Sequence, residues 1–273
     1  MENVVGRIIG VTSHLGGVGK TATTLNIGMC LAAMDHSVLL LDGDPAAGLS
    51  LAAGLGRRSH RGLYQFLKGS VSLEDTVHTS RKNSLALVRT GITEPTHIFA
   101  LERRTGWEKL WQAIRELAEG YDYLLIDTAC GHSTLTTLLL GCADAVIMPL
   151  PCRTLAVKSL PLFLRSLIRM RHTIQPDLRF AGAIFSMVDS LNPYELEIMT
   201  ELRRVFPAPT FFSTVIPLNR AFEKAAAHGV PVGLFREYDD LARGYADLAS
   251  ELVRRDRKLQ KKGGSSEQPD PLF

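Results

Sequence analysis

Residues 11–21 have the sequence Val11-Thr12-Ser13-His14-Leu15-Gly16-Gly17-Val18-Gly19-Lys20-Thr21. An apolar run at residues 8–11 leads into this segment, and a helical pattern at residues 21–34 follows it. Glycines adopt backbone angles that are closed to other residues, so consecutive N–H groups can turn inward around a phosphate. The following helix adds its free N-terminal N–H groups and the positive end of its dipole. The order of strand, glycine-rich loop and helix therefore predicts a phosphate-binding loop.

The side chains of Lys20 and Thr21 are the ones in this loop that are expected to contact phosphate and metal. In a P-loop the lysine faces the β- and γ-phosphates, and the hydroxyl ligates Mg²⁺. The pattern G-x-x-x-x-G-K-[ST] is met at every fixed position except the first, where His14 stands. We therefore predict that the loop binds Mg²⁺ and the phosphates of a nucleotide, with a glycine-rich turn that binds nothing as the alternative. The predicted nucleotide-binding residues of the loop are Gly16, Gly17, Val18, Gly19, Lys20, Thr21 and Ala22.

Two later apolar runs end in acidic residues. The continuous run at residues 37–41 is typical of a strand buried on both faces of a parallel sheet, and Asp42-Gly43-Asp44-Pro45 follows it. Residues 123–126 lead in the same way into Asp127. Sheets of this kind place their chemistry at the carboxyl ends of the strands. Because P-loop proteins hold the Mg²⁺ water shell with such an aspartate, we predict Asp127 at the metal and the Asp42–Asp44 pair beside it.

The composition is that of a globular protein without a strong charge bias. The chain of 273 residues is 45% apolar and 22% charged, and its net charge of +3 comes from 31 basic and 28 acidic residues. This charge is too small to require a polyanionic partner, so DNA binding must depend on local clusters. Four cysteines without C-x-x-C or zinc spacing predict free thiols in a cytoplasmic protein. Neither a signal peptide nor a transmembrane run is expected.

Strands and helices alternate along the rest of the chain. Further strands are predicted at residues 85–88, 143–149, 179–187 and 211–216, and further helices at 107–119, 155–171, 192–206 and 238–255. This alternation predicts one doubly wound α/β domain, a twisted and mostly parallel sheet with helices on both faces. The domain is expected to cover residues 1–258. Residues 259–273, rich in Lys, Gly and Ser, are expected to be a disordered tail.

Gly16-Gly17-Val18-Gly19-Lys20-Thr21 after a strand resembles the deviant P-loop of the ParA/MinD ATPases. Residues 214–219 and 228–232 are similar to a pattern near the end of the same family, so the resemblance covers residues 6 to about 255. It implies that Asp42 assists Mg²⁺ while Asp44 orients the attacking water. It also implies that Pro217 and Asn219 approach the adenine ring.

The resemblance fails at Leu15. ParA/MinD proteins have a signature lysine there, which reaches the partner's nucleotide in an ATP-sandwiched homodimer. Arg153, in the loop after the predicted strand 143–149, is the candidate replacement, and Lys158 is the second candidate. For both residues, the alternative is a surface salt bridge. The predicted catalytic residues are Asp44, Lys20 and Arg153, and the predicted metal residues are Thr21, Asp42 and Asp127.

The function that the resemblance implies is an ATP-dependent dimerising ATPase that positions DNA or a large protein assembly. Turnover is expected to be slow alone and faster with an activating partner protein. Non-specific DNA binding would place the protein at the nucleoid, with solvated helix faces as the alternative. The basic residues predicted to contact DNA are Arg165, Arg169, Arg171, Arg203, Arg204, Arg220 and Lys224.

Three other functions occur in proteins with this ATPase fold. A nucleotide-binding scaffold that does not hydrolyse ATP is suggested by Leu15 and by Ala46-Ala47, where the family has polar residues. A MinD-like membrane-surface ATPase is disfavoured, because residues 254–262 contain one leucine and no aromatic residue. An iron–sulfur reductase is disfavoured too, because Cys130 and Cys142 lack the spacing of that group.

Overall fold

The computed structural model describes residues 6–56, 61–79, 85–92, 94, 96–97, 104–131 and 133–262. Within this part of the chain one eight-stranded sheet forms, with the strand order β3-β4-β2-β5-β1-β6-β7-β8. Every neighbouring pair is parallel except β3 and β4. The strands are β1 (Arg7–Val11), β2 (Val38–Gly43), β3 (Val77–Thr79), β4 (Leu85–Arg89), β5 (Tyr123–Thr128), β6 (Ala145–Leu150), β7 (Arg179–Val188) and β8 (Phe211–Pro217).

Helices cover both faces of this sheet. The described α-helices are α1 (Lys20–Ala33), α2 (Gly48–Ala52), α3 (Leu63–Leu67), α4 (Arg104–Ala118), α5 (Thr134–Leu140), α6 (Thr154–Thr173), α7 (Pro193–Val205), α8 (Ala221–Ala227) and α9 (Asp239–Lys262). Apolar residues of α1, α2, α8 and α9 fill the core on one face, and those of α3 to α7 fill the core on the other. The predicted doubly wound α/β fold is confirmed.

The central strands β2 and β5 position the acidic residues. All six residues of each strand are buried, as the continuous apolar runs predict. β1 lies next to β5, so the loop that leaves β1 opens at the same edge of the sheet as the ends of β2 and β5. The glycine-rich loop and the acidic residues therefore meet at the carboxyl edge.

The structure differs from the prediction at the edge strand and at the last helix. Residues 77–79 form a strand that pairs antiparallel with β4, and the sequence does not predict it, because three residues carry too little pattern. The last helix continues to Lys262, beyond the predicted end at 255 and the predicted domain boundary at 258. An ion pair of 2.7 Å between Asp256 and Arg7 ties this extension to β1. Residues 263–273 of the predicted tail lie outside the described residues.

No helix in the described part of the chain has the length and apolar character needed to cross a membrane. The four cysteines are free thiols, as the sequence predicts, with Cys130 exposed and Cys142 and Cys152 buried.

Candidate nucleotide-binding site

The loop between β1 and α1 has the backbone of a phosphate cradle. Gly17 and Gly19 have φ angles of +68° and +90°, in the left-handed region that favours glycine. A Cβ atom at either position would meet nothing within 4 Å, so the backbone angle and not a lack of space requires glycine there. Lys20 begins α1 and is 8% exposed, and its Nζ donates a hydrogen bond of 3.3 Å to the Leu15 carbonyl. The lysine therefore closes the loop on itself when no phosphate is present.

Asp42 and Asp127 are register partners at the carboxyl ends of β2 and β5. Oδ2 of Asp127 accepts a hydrogen bond of 2.7 Å from the Thr21 hydroxyl. Oδ2 of Asp42 accepts hydrogen bonds from the Ser50 amide at 2.8 Å and from the Ser50 hydroxyl at 2.5 Å. Oδ1 of each aspartate is buried, and no partner for it exists among the described residues. Each of these two carboxylates beside the glycine-rich loop thus has one acceptor oxygen that makes no hydrogen bond to the described residues.

Burial dominates the electrostatics of this pair. It raises the pKa of Asp127 from its ordinary value of 3.8 to about 7, and the charges of Asp42 and Asp44 act in the same direction. The Thr21 hydrogen bond and the Lys20 charge lower that pKa but do not compensate. Burial also raises the pKa of Asp42, against the two hydrogen bonds from Ser50. For both carboxyls, burial thus outweighs the charges and hydrogen bonds that favour the ionised form.

The donor set fits a hydrated Mg²⁺. Mg²⁺ usually keeps several waters and takes one or two carboxylates together with substrate phosphates. Thr21 can supply a hydroxyl ligand, and the two unpartnered oxygens of Asp42 and Asp127 can accept hydrogen bonds from its water shell. No group of three or more His, Cys, Asp or Glu side chains with metal-binding geometry occurs among the described residues, so a dedicated all-protein cage is absent from that part of the chain.

A cavity of about 560 Å³ opens beside the loop. Its lining includes Gly16, Gly17, Gly19, Lys20, Thr21, Ala22, Asp44, Pro217 and Asn219. The P-loop and the end of β8, almost 200 residues apart in sequence, thus line one cavity. Val18, which is also predicted to bind the nucleotide, does not line it: its side chain is buried and its carbonyl accepts a hydrogen bond of 3.0 Å from the Ser186 hydroxyl.

Asp44 lies at the rim of this cavity and is half-buried. Its Oδ1 accepts a hydrogen bond of 2.8 Å from the Ala46 amide, which fixes the carboxylate in a turn after β2. A fixed carboxylate next to a phosphate-binding loop can orient a water molecule.

Several residues of the cavity wall are not predicted by the sequence. Ser186 and Met187 at the end of β7 line it, and Met187 has a φ angle of +54°, unusual for a residue other than glycine. The exposed Cys130 also lines it, with its Sγ 3.7 Å from the position of a Cβ atom added at Gly16. Asn26 joins α1 to the segment before α9, because its Oδ1 accepts a hydrogen bond of 3.0 Å from the Val232 amide. Of these, the sequence offers a signal for Cys130, which closely follows Asp127, and for the hydroxyl of Ser186 at a strand end.

Arg153 does not line the cavity. Its Nε lies 3.9 Å from Oε1 of Glu195, whose carboxylate is buried and accepts a hydrogen bond of 2.9 Å from the Asp189 amide. The Arg153 side chain is 54% exposed. Within one chain, the surface salt bridge describes Arg153 better than a nucleotide contact does. Leu15, where the resemblance would place a lysine, packs against the core that α3 to α7 fill.

The residues predicted to contact DNA fall into two groups. Arg203 donates hydrogen bonds to the carbonyls of Phe212 and Ser213 at 3.0 and 3.2 Å, and its guanidinium lies over the ring of Phe185. These contacts hold α7 against β8, so Arg203 has a structural role that the sequence does not predict.

The remaining predicted DNA contacts lie at or near the surface. Arg204 pairs with Glu201 at 2.8 Å, and Lys224 pairs with Glu237 at 2.6 Å, all of them exposed. Arg171 is partly buried, whereas Arg165, Arg169 and Arg220 are exposed. Arg165 and Arg169 stand four residues apart on α6, so they share one side of that helix.

Comparison with known proteins agrees with this geometry. Residues 6–180 match the AAA domain family. The chain is 31% identical to the chromosome partitioning protein ParA of Caulobacter vibrioides over 264 residues, which cover 94% of this chain and 97% of that protein.

Solved structures share the fold. The ATP complex of a single-residue variant of Cyanothece McdA superposes with a TM-score of 0.77 at 20% identity, over 92% of this chain and 97% of that one. Cobyrinic acid a,c-diamide synthase from Mycobacterium smegmatis, with bound ATP analogue and magnesium, gives a TM-score of 0.76 at 24% identity, over 98% of this chain and 100% of that one. The solved structures show the shared fold, and the family match together with the similarity to ParA over nearly the whole chain shows that the protein belongs to the AAA domain family and to the ParA family.

Proposed function

We infer that the protein binds Mg²⁺–ATP in the cavity beside its P-loop and hydrolyses it slowly as an ATP-sandwiched homodimer. The observation that carries this proposal is the group of Thr21, Asp42 and Asp127, which holds two buried and unpartnered carboxylate oxygens beside a glycine-rich loop. Two structures of similar fold contain a nucleotide or its analogue, one of them with magnesium. The cofactors of this chain are then ATP and Mg²⁺.

Each residue of the site has a defined task in this proposal. Lys20 leaves the Leu15 carbonyl and contacts the β- and γ-phosphates. Thr21, Asp42 and Asp127 would hold Mg²⁺, once the hydrogen bond between Thr21 and Asp127 has opened. The metal would supply positive charge against the charge that develops on the transferred phosphate. Asp44 orients the attacking water.

The adenine ring lies on the opposite side of the cavity. Pro217 and Asn219 line that side, and the Asn219 side chain accepts a hydrogen bond of 2.8 Å from the Ala221 amide. This bond fixes the turn between β8 and α8. A fixed apolar edge beside a polar side chain suits a purine base.

The dimer needs a positive charge that Leu15 cannot supply. A cation that reaches across to a transferring phosphate is worth about 10³–10⁵ in rate, or roughly 4–7 kcal/mol of barrier. Arg153 is our candidate, because it follows β6 at the carboxyl edge of the sheet and half of its side chain is exposed. Its contact with Glu195, at 3.9 Å and near the surface, is weak enough to be exchanged for a phosphate.

The cargo is DNA or a large protein assembly. The ParA of Caulobacter vibrioides is named as a chromosome partitioning protein. By analogy, the ATP-bound dimer binds DNA without sequence preference through Arg165, Arg169 and Arg220, in the cytoplasm and at the nucleoid. An activating partner protein then stimulates hydrolysis and releases the dimer.

A nucleotide-binding scaffold without significant hydrolysis is the second candidate. The packing of the Leu15 side chain into the core favours it, because no other residue of the P-loop can replace the missing charge. Asp44 at the cavity rim favours hydrolysis. The two candidates differ in turnover but not in nucleotide binding.

Phosphate release from Mg²⁺–ATP, measured with and without DNA, tests the proposal. We expect slow release by the wild type and at least about a tenfold loss in Asp44→Ala, with ATP binding retained, because Asp44 touches water and not phosphate. Asp240→Ala, which removes an exposed carboxylate on α9, is the matched control and should hydrolyse normally. Equal rates for Asp44→Ala and the wild type would reject Asp44 as the catalytic carboxylate. Binding without turnover in the wild type would favour the scaffold.

A further inference from the structure

The carbonyl of Val18, in the middle of the P-loop, is held by a residue from another strand. The hydroxyl of Ser186, near the end of β7, donates a hydrogen bond of 3.0 Å to this carbonyl, and both residues are buried. In the sheet β6 separates β7 from β1, the strand that leads into the P-loop. The bond is therefore a direct contact between β7 and the P-loop, and it does not belong to the pairing of neighbouring strands.

Ser186 and Met187 form an irregular step in β7. Between the paired residues Phe185 and Val188, β7 advances by three residues while its partner β8 advances by two, which is the arrangement of a β-bulge. Met187 has a φ angle of +54°. A residue other than glycine keeps such an angle only where its surroundings determine it. The backbone beside Ser186 is thus held in one defined and unusual conformation.

The bulge places two consecutive residues on the wall of the nucleotide cavity. In a regular strand neighbouring side chains point to opposite faces, so Ser186 and Met187 would lie on different sides of the sheet. Here both residues line the cavity, whereas Phe185 and Val188 on either side of them belong to the core that α3 to α7 fill. Bulges are frequent next to active sites, where they change the direction of side chains or end the pairing of a strand.

The peptide group between Val18 and Gly19 benefits from an external contact. Its carbonyl and the N–H of Gly19 lie in one plane and point in opposite directions, because the peptide is trans. Gly17 and Gly19 flank Val18, and glycine by itself admits many backbone conformations. By holding the Val18 carbonyl, Ser186 therefore also fixes the direction of the Gly19 N–H, and Gly19 lines the cavity.

We propose that Ser186 is a positioning residue, which orients the N–H of Gly19 for a phosphate of the bound nucleotide. This inference rests on the proposed function, because that function places the phosphates beside the P-loop. Ser186 acts through the loop backbone, since its hydroxyl is used by the Val18 carbonyl. A donor that is already oriented binds more tightly than one that has to be ordered on binding. The effect of Ser186 therefore falls on the phosphates and not on the adenosine part of the nucleotide.

Calorimetric titration of Mg²⁺–ATP and of adenosine into the full chain tests this proposal. Ser186→Ala should weaken the binding of Mg²⁺–ATP by about tenfold, because the Gly19 N–H loses its fixed direction, and should change the affinity for adenosine by less than about twofold. A purely structural role of Ser186 would affect both ligands alike, because a disturbed cavity also contacts the base less well. Equal losses for the two ligands, or no loss for Mg²⁺–ATP, would overturn the proposal.

Two further variants show whether the hydroxyl itself is responsible. Ser186→Thr keeps a hydroxyl and should restore most of the affinity for Mg²⁺–ATP. A folded Ser186→Thr that binds as weakly as Ser186→Ala would contradict the proposal.

Ser159→Ala is the matched control. It removes a hydroxyl that donates a hydrogen bond of 2.7 Å to the Ala156 carbonyl on α6, outside the residues that line the cavity, and it should bind both ligands as the wild type does. The same loss in Ser159→Ala as in Ser186→Ala would refute a specific role of Ser186. A wild type that does not bind Mg²⁺–ATP would reject the nucleotide site together with this inference, whereas equally tight binding by the wild type and Ser186→Ala would reject the inference alone.

Discussion

The Thr21 hydroxyl donates a 2.7 Å hydrogen bond to Oδ2 of Asp127, and so joins the first turn of α1 to the end of β5. The same two groups are the ones that Mg²⁺ would separate on binding with a nucleotide. Because this bond ties the P-loop helix to a central strand, binding of a metal there would change the contact between these two elements. A nucleotide switch of this kind needs such a change.

The pH dependence of stability should report the burial of Asp127. Its pKa is about 7 in the folded chain and near 3.8 when the chain is unfolded, so between these values the folded state binds more protons. The free energy of unfolding should therefore fall as the pH rises from about 4 to about 7. The contribution of Asp127 is at most about 1.4 kcal/mol per pH unit.

Urea denaturation at pH 5 and pH 7 with EDTA present measures this effect. The variant Asp127→Asn should lose less stability than the wild type over this interval, because the amide does not titrate. Asp240→Asn, which changes an exposed residue, should behave like the wild type. The same pH slope in Asp127→Asn and the wild type would show that the carboxyl titrates normally in the folded chain.

Lys20 should be required for ATP binding. Its charge is held 3.3 Å from the Leu15 carbonyl inside the loop, where it can turn to the phosphates. Lys20→Ala should weaken binding of a fluorescent ATP analogue by roughly a hundredfold, as expected for loss of hydrogen bonds to a charged group. Lys109→Ala removes an exposed lysine of α4 and should not change the affinity. Comparable affinities of both variants would argue against this nucleotide site.

The sequence predicts those parts of the site that depend on neighbouring residues. The glycines around Lys20 and the aspartates after two apolar runs follow local rules, and the structure brings these segments to one edge of the sheet. Contacts between distant residues leave no such pattern. Ser186 and Val18 are 168 positions apart, and nothing near either residue indicates their hydrogen bond.

Charged side chains are harder to predict for the same reason. Arg203 and Arg165 look alike in the sequence, since both stand on amphipathic helices. In the structure both arginines are exposed, but Arg203, near the end of α7, also donates hydrogen bonds to two carbonyls of β8. Which of the two is free for a partner depends on how the helix packs, and the helical pattern alone does not determine that.

Cys130 offers a chemical probe of the cavity. It is exposed beside Gly16, so bound phosphates should shield its thiol. Burial raises the pKa of Cys30 to about 11 and the pKa values of Cys142 and Cys152 to about 12, so these thiols react slowly.

Iodoacetamide should therefore label Cys130 first, and a saturating Mg²⁺–ATP analogue should slow that labelling several-fold. Mass spectrometry of the modified peptides measures the rates. Cys130→Ser should remove the fast phase. If the analogue binds and the Cys130 rate stays constant, the nucleotide lies away from this wall of the cavity.

Alanine variants of Arg165 and Arg169 should differ from an alanine variant of Arg203 in their effect on DNA binding. Each phosphate contact contributes about −0.9 to the slope of log affinity against log salt. Arg165→Ala with Arg169→Ala should reduce that slope by up to about 1.8 in the presence of an ATP analogue, and the melting temperature should stay unchanged. Arg203→Ala should instead lower the melting temperature, because it leaves two carbonyls of β8 without their donor. No binding of the wild type at low salt would reject DNA as the partner.

An alanine variant of Arg153 tests whether this residue supplies the positive charge that Leu15 lacks. Its ion pair with Glu195, at 3.9 Å, is largely exposed on the arginine side, so Arg153→Ala should change stability by less than about 1 kcal/mol. The same variant should weaken the ATP-dependent dimer and hydrolysis, because a charge that crosses to the partner's phosphates is lost, and leave nucleotide binding by the monomer nearly unchanged. Size-exclusion chromatography with a non-hydrolysable ATP analogue measures dimerisation, and Arg254→Ala, an exposed arginine of α9, is the control. A dimer of Arg153→Ala as stable as that of the control would leave Arg153 as a surface salt bridge and the scaffold as the better description of this protein.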